Sequence, residues 1–301
     1  MAKTSTLKQE TGKLSFKGKE KLPSEVNFLL LPFFALSRQD AAEKEKMEYK
    51  KEVNRGGGKE VISWEVSASS KYGYPGPFDK KVYKAVEEII TRKGFPIENP
   101  IEFSLYEIIK LIGRDNIGGR DYRQVKWSLE KLTATTIKSE GSFYLKGKRK
   151  YLDDVFSLFS RITFTGEERE NGERAEKNYL YVNSWFLENI NEFYLRPLDY
   201  QFYKQLNGEI AKRLYELLGV KFFRIIQDNK PALRFSYDTL TKLIPLRKQD
   251  YPSKAKQVLS PAHKELTDKN FLAGVDWEKK RDSLLVYYYP GERSVREIKG
   301  N

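Results

Sequence analysis

Phe103-Ser104-Leu105-Tyr106-Glu107-Ile108-Ile109-Lys110-Leu111-Ile112 returns later in the chain as Phe235-Ser236-Tyr237-Asp238-Thr239-Leu240-Thr241-Lys242-Leu243-Ile244. Five of the ten residues recur in register: Phe, Ser, Lys, Leu and Ile. Each copy reads as the end of a short strand, a serine N-cap, a short helix and a turn. A basic amphipathic run follows each copy, ending in Leu132-Thr133 the first time and Leu266-Thr267 the second. That order is the grammar of a helix-turn-helix. In the first copy the spacing predicts a helix over 104–112, with Ser104 and Glu107 forming a capping box and Gly113 closing it. Chance likeness between two short amphipathic helices is the competing explanation for the phrase by itself, and the flanks decide between the two.

Upstream of the first copy, Phe78, Val82, Ala85, Val86, Ile89 and Ile90 recur at three and four residues, predicting a helix after Pro77 that stops at Gly94. Downstream, the glycine-rich turn 114–119 leads to a helix from about Arg120 to Thr133 with Tyr122, Val125, Leu129 and Leu132 as its apolar face. A hairpin follows: Thr136 to Leu145, a basic tip at 146–150, then Val155 to Phe164. Asn171-Gly172 between Ile162-Thr163-Phe164 and Tyr179-Leu180-Tyr181 signals a second hairpin. The order then repeats, with helices near 200–206 and 208–223, the second copy, a turn over 245–251 and a helix from Pro252 to about Lys269. Pro261 is predicted to kink that helix after Ser260. A hairpin closes the unit, from Val275-Asp276-Trp277 through a tip at 279–281 to Leu284–Tyr289. With flanking helix, phrase, second helix and hairpin all duplicated, chance is a poor explanation. The predicted fold is α+β: two tandem winged-helix domains (helix-turn-helix plus β-hairpin wing) related by internal duplication. Their expected bounds are 23–192, including an N-terminal arm, and 193–301, after a disordered basic tail over 1–22.

The length of 301 residues allows two domains by the rough figure of 100–200 residues each. A formal net charge of +13 bears on partners rather than on fold. Nucleic acid is the first candidate and an anionic membrane surface the second, with simple solubility as the competing reading. Cysteine is absent and histidine occurs once, as His263, which excludes disulfides and thiolate zinc sites. No apolar run is long enough to span a bilayer. Val26 to Leu36 resembles the apolar core of a signal peptide, but Asn27 and Pro32 interrupt it, and Glu10, Glu20 and Glu25 precede it. Residues 27–36 are therefore expected as a buried strand or extended arm, and 45–66 as a hairpin.

A winged helix inserts its second helix in the major groove, where Arg forks to guanine and Gln to adenine. The candidates in the first unit are Arg120, Arg123, Gln124 and Lys126, with Arg114 in the turn. In the second they are Ser253, Lys254, Lys256 and Gln257, with Arg247 and Lys248 in the turn. The hairpin tips, Lys146, Lys148, Arg149 and Lys150 in one unit and Lys279, Lys280 and Arg281 in the other, suit phosphate contact, which fixes register without reading sequence. Taken singly, each is as well explained as a solvated charge; their clustering at matching places in both units is the stronger observation. Catalysis finds little support. Gly56-Gly57-Gly58-Lys59-Glu60 lacks the spacing and hydroxyl of a phosphate-binding loop, and one histidine cannot make a paired-histidine metal site. His263 is expected at the surface or in the groove, Tyr287-Tyr288-Tyr289 as a packed strand, and Asp153-Asp154 and Glu167-Glu168 as solubilising charge. No catalytic residue, metal or cofactor is expected, and the protein is read as a non-enzyme; a primase or nickase is the rival from another class.

Three phrases add a resemblance: Leu31-Pro32-Phe33-Phe34-Ala35-Leu36-Ser37, Tyr72-Gly73-Tyr74-Pro75-Gly76-Pro77-Phe78-Asp79 and Ala211-Lys212-Arg213-Leu214-Tyr215-Glu216-Leu217-Leu218. In combination, over roughly residues 23–290, the chain resembles plasmid replication initiators of the replication initiator protein A family. The resemblance implies two winged-helix domains that bind short direct repeats (iterons) in duplex DNA at a plasmid origin and help to open an adjacent AT-rich duplex. Host replication initiator and replicative helicase are the implied recruited partners. A switch between a self-repressing dimer and an initiating monomer is also implied, with a homodimer expected through the first domain. The expected location is cytoplasmic, with the plasmid or nucleoid and no membrane. A winged-helix transcriptional repressor without a replication role is the alternative. No base-contacting residue carries over from the family.

Overall fold

The computed structural model describes residues 9–10, 13–14, 21–55, 57–169, 172–281 and 283–299. Most of the tail expected over 1–22, and Asn171 of the predicted turn, lie outside them. The chain divides into two compact units: one holds Phe33–Leu195, and the other joins the segment ending at Pro32 to the chain from Arg196 onward. The expected division at 192/193 is thus found at 195/196. The arm over 23–32, expected with the first domain, belongs to the second unit.

Two-residue strands β1 (Gln9–Glu10) and β2 (Lys13–Leu14) pair antiparallel. Strand β3 (Lys21–Glu25) leads into α1 (Val26–Leu30). A strand or extended arm was the expectation here, and a short helix forms instead. The Glu25 carboxylate caps it, accepting from Phe28 N at 3.0 Å and from Asn27 Nδ2 at 2.7 Å. A run apolar on every side carries no period to separate helix from strand.

The Phe33–Leu195 unit opens with α2 (Arg38–Glu43), N-capped by Ser37, and the hairpin of β4 (Lys46–Arg55) and β5 (Gly58–Ser67). Helix α3 (Pro77–Lys93) has Pro77 in its first turn, where a missing N–H costs nothing, and Gly94 at φ +78 just beyond its end. It buries Val82, Ala85, Val86, Ile89 and Ile90. Then come β6 (Ile101–Phe103), α4 (Leu105–Leu111), α5 (Gly119–Ala134), β7 (Thr136–Leu145), β8 (Lys150–Ser157), β9 (Phe159–Thr163), β10 (Asn178–Val182) and α6 (Ser184–Asn191). Val125, Leu129 and Leu132 of α5 are fully buried, but Tyr122, expected on the same face, is exposed.

The strands form two sheets. One has the order β4-β5-β7-β8 and the other β6-β10-β9. The hairpin directly after α5, expected as the wing of the first unit, therefore does not share a sheet with β6. The β4–β5 hairpin takes it, pairing β5 with β7 from Ser63↔Glu140 to Ser67↔Thr136, and the next hairpin, β9–β10, joins β6 in its place. Stacked Trp64 and Phe143 rings, 6.2 Å apart, fill the core of the four-stranded sheet. A bulge in β7 needs Gly141 at φ +63, where an added Cβ would lie 3.3 Å from Ile62.

The other unit continues with β11 (Leu195–Asp199), which starts at the boundary, then α7 (Tyr200–Gln205), α8 (Glu209–Gln227), β12 (Leu233–Ser236), α9 (Tyr237–Leu243), α10 (Pro252–Asp268), β13 (Leu272–Lys280), β14 (Ser283–Pro290) and α11 (Glu292–Lys299). Its three-stranded sheet runs β12-β14-β13, and β11 pairs with β3. That pairing, with the packing of α1 on α8, is why the arm belongs here. Helix α10 runs through Pro261 without ending there.

The repeated phrase keeps its register in space: α4 and α9 are seven residues each, and Ile108 and Leu240, at equivalent positions, are both fully buried. Their caps differ. Ser236 Oγ accepts from Thr239 N at 3.1 Å, whereas the Ser104 side chain makes no capping bond, so the expected capping box is absent. Glu107 lies 3.4 Å from Arg92 Nη1 instead.

The guanidinium of Arg213, buried in α8, donates to Leu29 O at 2.8 Å, Leu30 O at 3.1 Å and Leu243 O at 3.0 Å. Glu216, one turn on and also buried, is 3.7 Å away. Burial pulls the Arg213 guanidinium down from its usual range, and the Glu216 charge opposes that shift. Arg213→Ala is expected to destabilise this unit by about 3–5 kcal/mol, the usual cost of removing one partner from a buried pair. Urea unfolding measures it, and a change within the roughly 0.5 kcal/mol of ordinary surface substitutions would show the clamp to be dispensable.

Candidate nucleic-acid interface

Helix α10 buries Ala255, Leu259, Ala262, His263 and Leu266, so Ser253, Lys254, Lys256 and Gln257 face solvent from its first two turns. Lys254 Nζ is 3.5 Å from Gln257 Oε1, and Lys256 Nζ stands 6.0 Å from the Trp277 ring of β13. Arg247, in the turn before the helix, is exposed, as are Lys279, Lys280 and Arg281. A hollow of about 380 Å³ lies between that turn and the β13–β14 tip, bringing Lys248 and Tyr251 to the same place as Lys279, Lys280 and Arg281. Two of these cations are already paired: Lys248 with Asp238 at 2.7 Å, and Lys280 with Glu278 at 3.5 Å. The lysines hold the Asp238 carboxyl below the usual carboxylate range, with Lys248 the larger cause and Lys242 the next. Arg247, Lys254, Lys256, Lys279 and Arg281 make no ion pair among the described residues.

The matching elements of the Phe33–Leu195 unit are arranged differently. Arg114, Arg120, Arg123 and Gln124 line a cleft of about 950 Å³ whose other wall is α2 and the loop 72–79. Tyr74 Oη donates to Phe33 O at 3.0 Å and Ala35 N donates to Pro75 O at 2.9 Å, fixing that loop. Lys126 lies apart from this group, 3.4 Å from Glu167 and over the Phe164 ring at 4.3 Å. The basic tip of β7–β8 does not join α5. Its Lys148 pairs with Glu188 of α6 at 3.3 Å and stands over Trp185, and Lys146 Nζ donates to Phe193 O. Arg149 and Lys150 are exposed on the same tip, Arg149 at φ +51. The expected wing contacts at 146–150 are thus separated from the helix they were meant to flank. The hairpin that shares a sheet with β6 carries in its loop, 164–177, five acidic residues against three basic ones, so it offers phosphates little.

Sequence reasoning missed Arg38, Tyr72, Trp127 and Lys131, all of which line the cleft. A signal was there: Arg120, Gln124, Trp127 and Lys131 recur at four, three and four residues, a polar and aromatic face beside the apolar one. His263 was expected at the surface and is buried. Its Nε2 lies 3.0 Å from Tyr288 Oη, a partner that makes an imidazole tolerable in the core. No grouping of acidic or histidine side chains suited to a metal ion occurs among the described residues, and none of their helices is long and apolar enough to cross a membrane.

A mixed helix and sheet chain with a helix-turn-helix order in each unit is similar to a solved structure: the crystal structure of domain 2 and domain 3 of RctB, as the selenomethionine derivative. The TM-score is 0.51 at 14% identity, over 87% of this chain and 97% of that one. At that identity the likeness concerns the fold. The sequence itself matches the family model of replication initiator protein A over residues 24–244, and the chain belongs to that family. No curated protein matches the sequence. The protein is accordingly a replication initiator by family.

Burial lowers the His263 pKa from the usual 6.5 to about 4. The folded state keeps the ring neutral, so its contribution to stability is complete above pH 6.5 and is lost as pH falls through 4. His263→Gln removes this dependence. The variant is expected to lose about 3 kcal/mol less stability than the parent between pH 6.5 and 4, at 1.36 kcal/mol per pKa unit. Denaturant unfolding of both proteins across that range tests it; parallel pH profiles would contradict a neutral buried ring.

Proposed function

We propose that the protein is a non-enzymatic initiator that binds repeated origin sequences (iterons) in duplex DNA through two winged-helix units, α3–β10 and α8–β14. The observation that carries the reading is the recurrence of one topology. In both units a strand, a helix, a turn and a second helix precede a hairpin whose far strand pairs with the first strand, giving the orders β6-β10-β9 and β12-β14-β13. Such a unit presents its second helix to the major groove. In the α10 unit Lys254, Lys256 and Gln257 are the groove residues, and Arg247, Lys279 and Arg281 supply phosphate contacts. Helix α5 is the second groove helix, but Arg120, Arg123 and Gln124 face a walled cleft, so it engages DNA differently. Opening of an adjacent duplex and recruitment of a host initiator and helicase follow from the same role. The β4-β5-β7-β8 sheet, which exposes Val61, Tyr151 and Val155, is the surface for a homodimer.

Replacing Lys254 and Lys256 together by Ala is expected to weaken binding to the DNA flanking the gene. It should also reduce the slope of log affinity against log salt by about 2. Footprinting with salt titration measures both. An unchanged slope would remove these lysines from the interface, and protection of a single unrepeated site would favour a repressor over an iteron-binding initiator.

A further inference from the structure

The cleft in the Phe33–Leu195 unit is more than one face of a groove helix. Residues that read a major groove lie near the N-terminus of the inserted helix, yet the cleft continues along α5 to Trp127 and Lys131. Its volume, about 950 Å³, is at the upper end of small-ligand sites, roughly 300–1,000 Å³. Its two carboxylates are already satisfied. Asp79 accepts from Gly76 N at 2.8 Å and pairs with Lys131 at 3.1 Å; Asp121 accepts from Gly118 N at 3.0 Å and lies 3.8 Å from Arg114. Arg38, Arg120 and Arg123 make no ion pair among the described residues. Three unpaired guanidinium groups around one hollow suit an anion.

The cleft also has a stacking surface. Trp127 is 45% exposed on a helix whose aliphatic Val125, Leu129 and Leu132 are fully buried. The Tyr72 ring meets it at 4.7 Å and 64°, which steadies the indole from one side. Gln124 and Asn116 add amide donors and acceptors at the lining. An aromatic face, guanidinium groups and amides together match a base, a phosphate and a base edge.

We propose that this cleft binds a nucleoside 5′-phosphate moiety, with the base on Trp127 and the phosphate on Arg38, Arg120 and Arg123. The moiety comes either from a free nucleotide or from an unpaired residue of a DNA strand, since both present the same chemistry. The site does not depend on the duplex reading: it would fill whether or not α10 binds iterons.

The test uses the full chain and two probes, dAMP and a single-stranded oligothymidylate of about ten nucleotides, read by calorimetry and by anisotropy. Trp127→Ala is expected to weaken binding by about tenfold or more, within the range for loss of one stacked base, and Trp127→Phe to restore most of it. Arg38→Ala, at an exposed position of a helix with no buried residue, should weaken it similarly. Binding of dAMP identifies a free nucleotide as sufficient; binding of the oligonucleotide alone identifies a strand. Failure of both probes to bind overturns the proposal. So does binding that Trp127→Ala and Arg38→Ala leave unchanged, or displacement by inorganic phosphate as effective as by dAMP. Duplex binding by the same variants, measured in parallel, reports separately on the iteron reading.

Discussion

A single guanidinium holds the arm, the long helix and the supporting helix of one unit together. Arg213 donates to the carbonyls of Leu29 and Leu30 at the end of α1, and to that of Leu243 at the end of α9. Helix C-termini leave carbonyls without intrahelical partners, and in the core those groups need a donor. Arginine suits the task because its planar fork offers several N–H groups in fixed directions and stays charged. The cost of burying it is offset only if the fork is filled, which fixes α1 and α9 on α8. Helix α10 follows α9 through one turn and packs on α8 itself, so its exposed face inherits that geometry. The phrase 211–218 that helps to mark the family is thus, at its centre, a fastener.

The same topology serves two different surfaces. In the α10 unit the hairpin tip is basic and adjoins the turn before the second helix, bringing Lys248 beside Lys279, Lys280 and Arg281. In the Phe33–Leu195 unit the corresponding hairpin loop has a net excess of acid, and the insertion of β7 and β8 sends the basic tip to α6. What remains beside α5 is a hollow walled by loop 72–79. The two units thus share a buried framework, seen in Ile108 and Leu240 at matching positions of the repeated phrase, while the surfaces around it differ.

Local features were legible in the sequence. The helices α3, α4, α5, α8 and α9 follow from apolar spacing, with a serine cap realised at α9, and the repeated phrase located both helix-turn-helix orders. What escaped was non-local. Nothing within 136–157 says that β7 pairs with β5 rather than β6; the decision lies in the hairpin 46–67, which competes for it. Ile101–Phe103 finds its partner in Asn178–Leu180, across the whole insertion. His263 was misread for a similar reason. A histidine on a helix is polar until a partner such as Tyr288 Oη, from a strand 25 residues on, removes the penalty of burying it. Tyr122 was misread in the opposite sense: its ring was counted on the apolar face of α5, and the packing leaves it exposed. The solvent-facing residues on α10 were legible because they are what its buried positions leave over; the cleft was not, because half of it comes from α2 and loop 72–79.

The distribution of pairing gives the charge of the chain its meaning. A net charge of +13 could be spread evenly, and many lysines are indeed neutralised locally: Lys126 by Glu167, Lys148 by Glu188, Lys248 by Asp238. Exposed pairs of this kind contribute only about 0–1 kcal/mol each, so their main effect is not stability. They subtract charge from places where a polyanion would otherwise bind without register. Uncompensated cations remain on the open face of α10 with its hairpin tip and around the α5 cleft, and also elsewhere, as at Arg149 and Lys150 of the β7–β8 tip. Counterion release scales with the phosphates actually neutralised, so for a polyanion the placement of the unpaired cations matters more than the total charge.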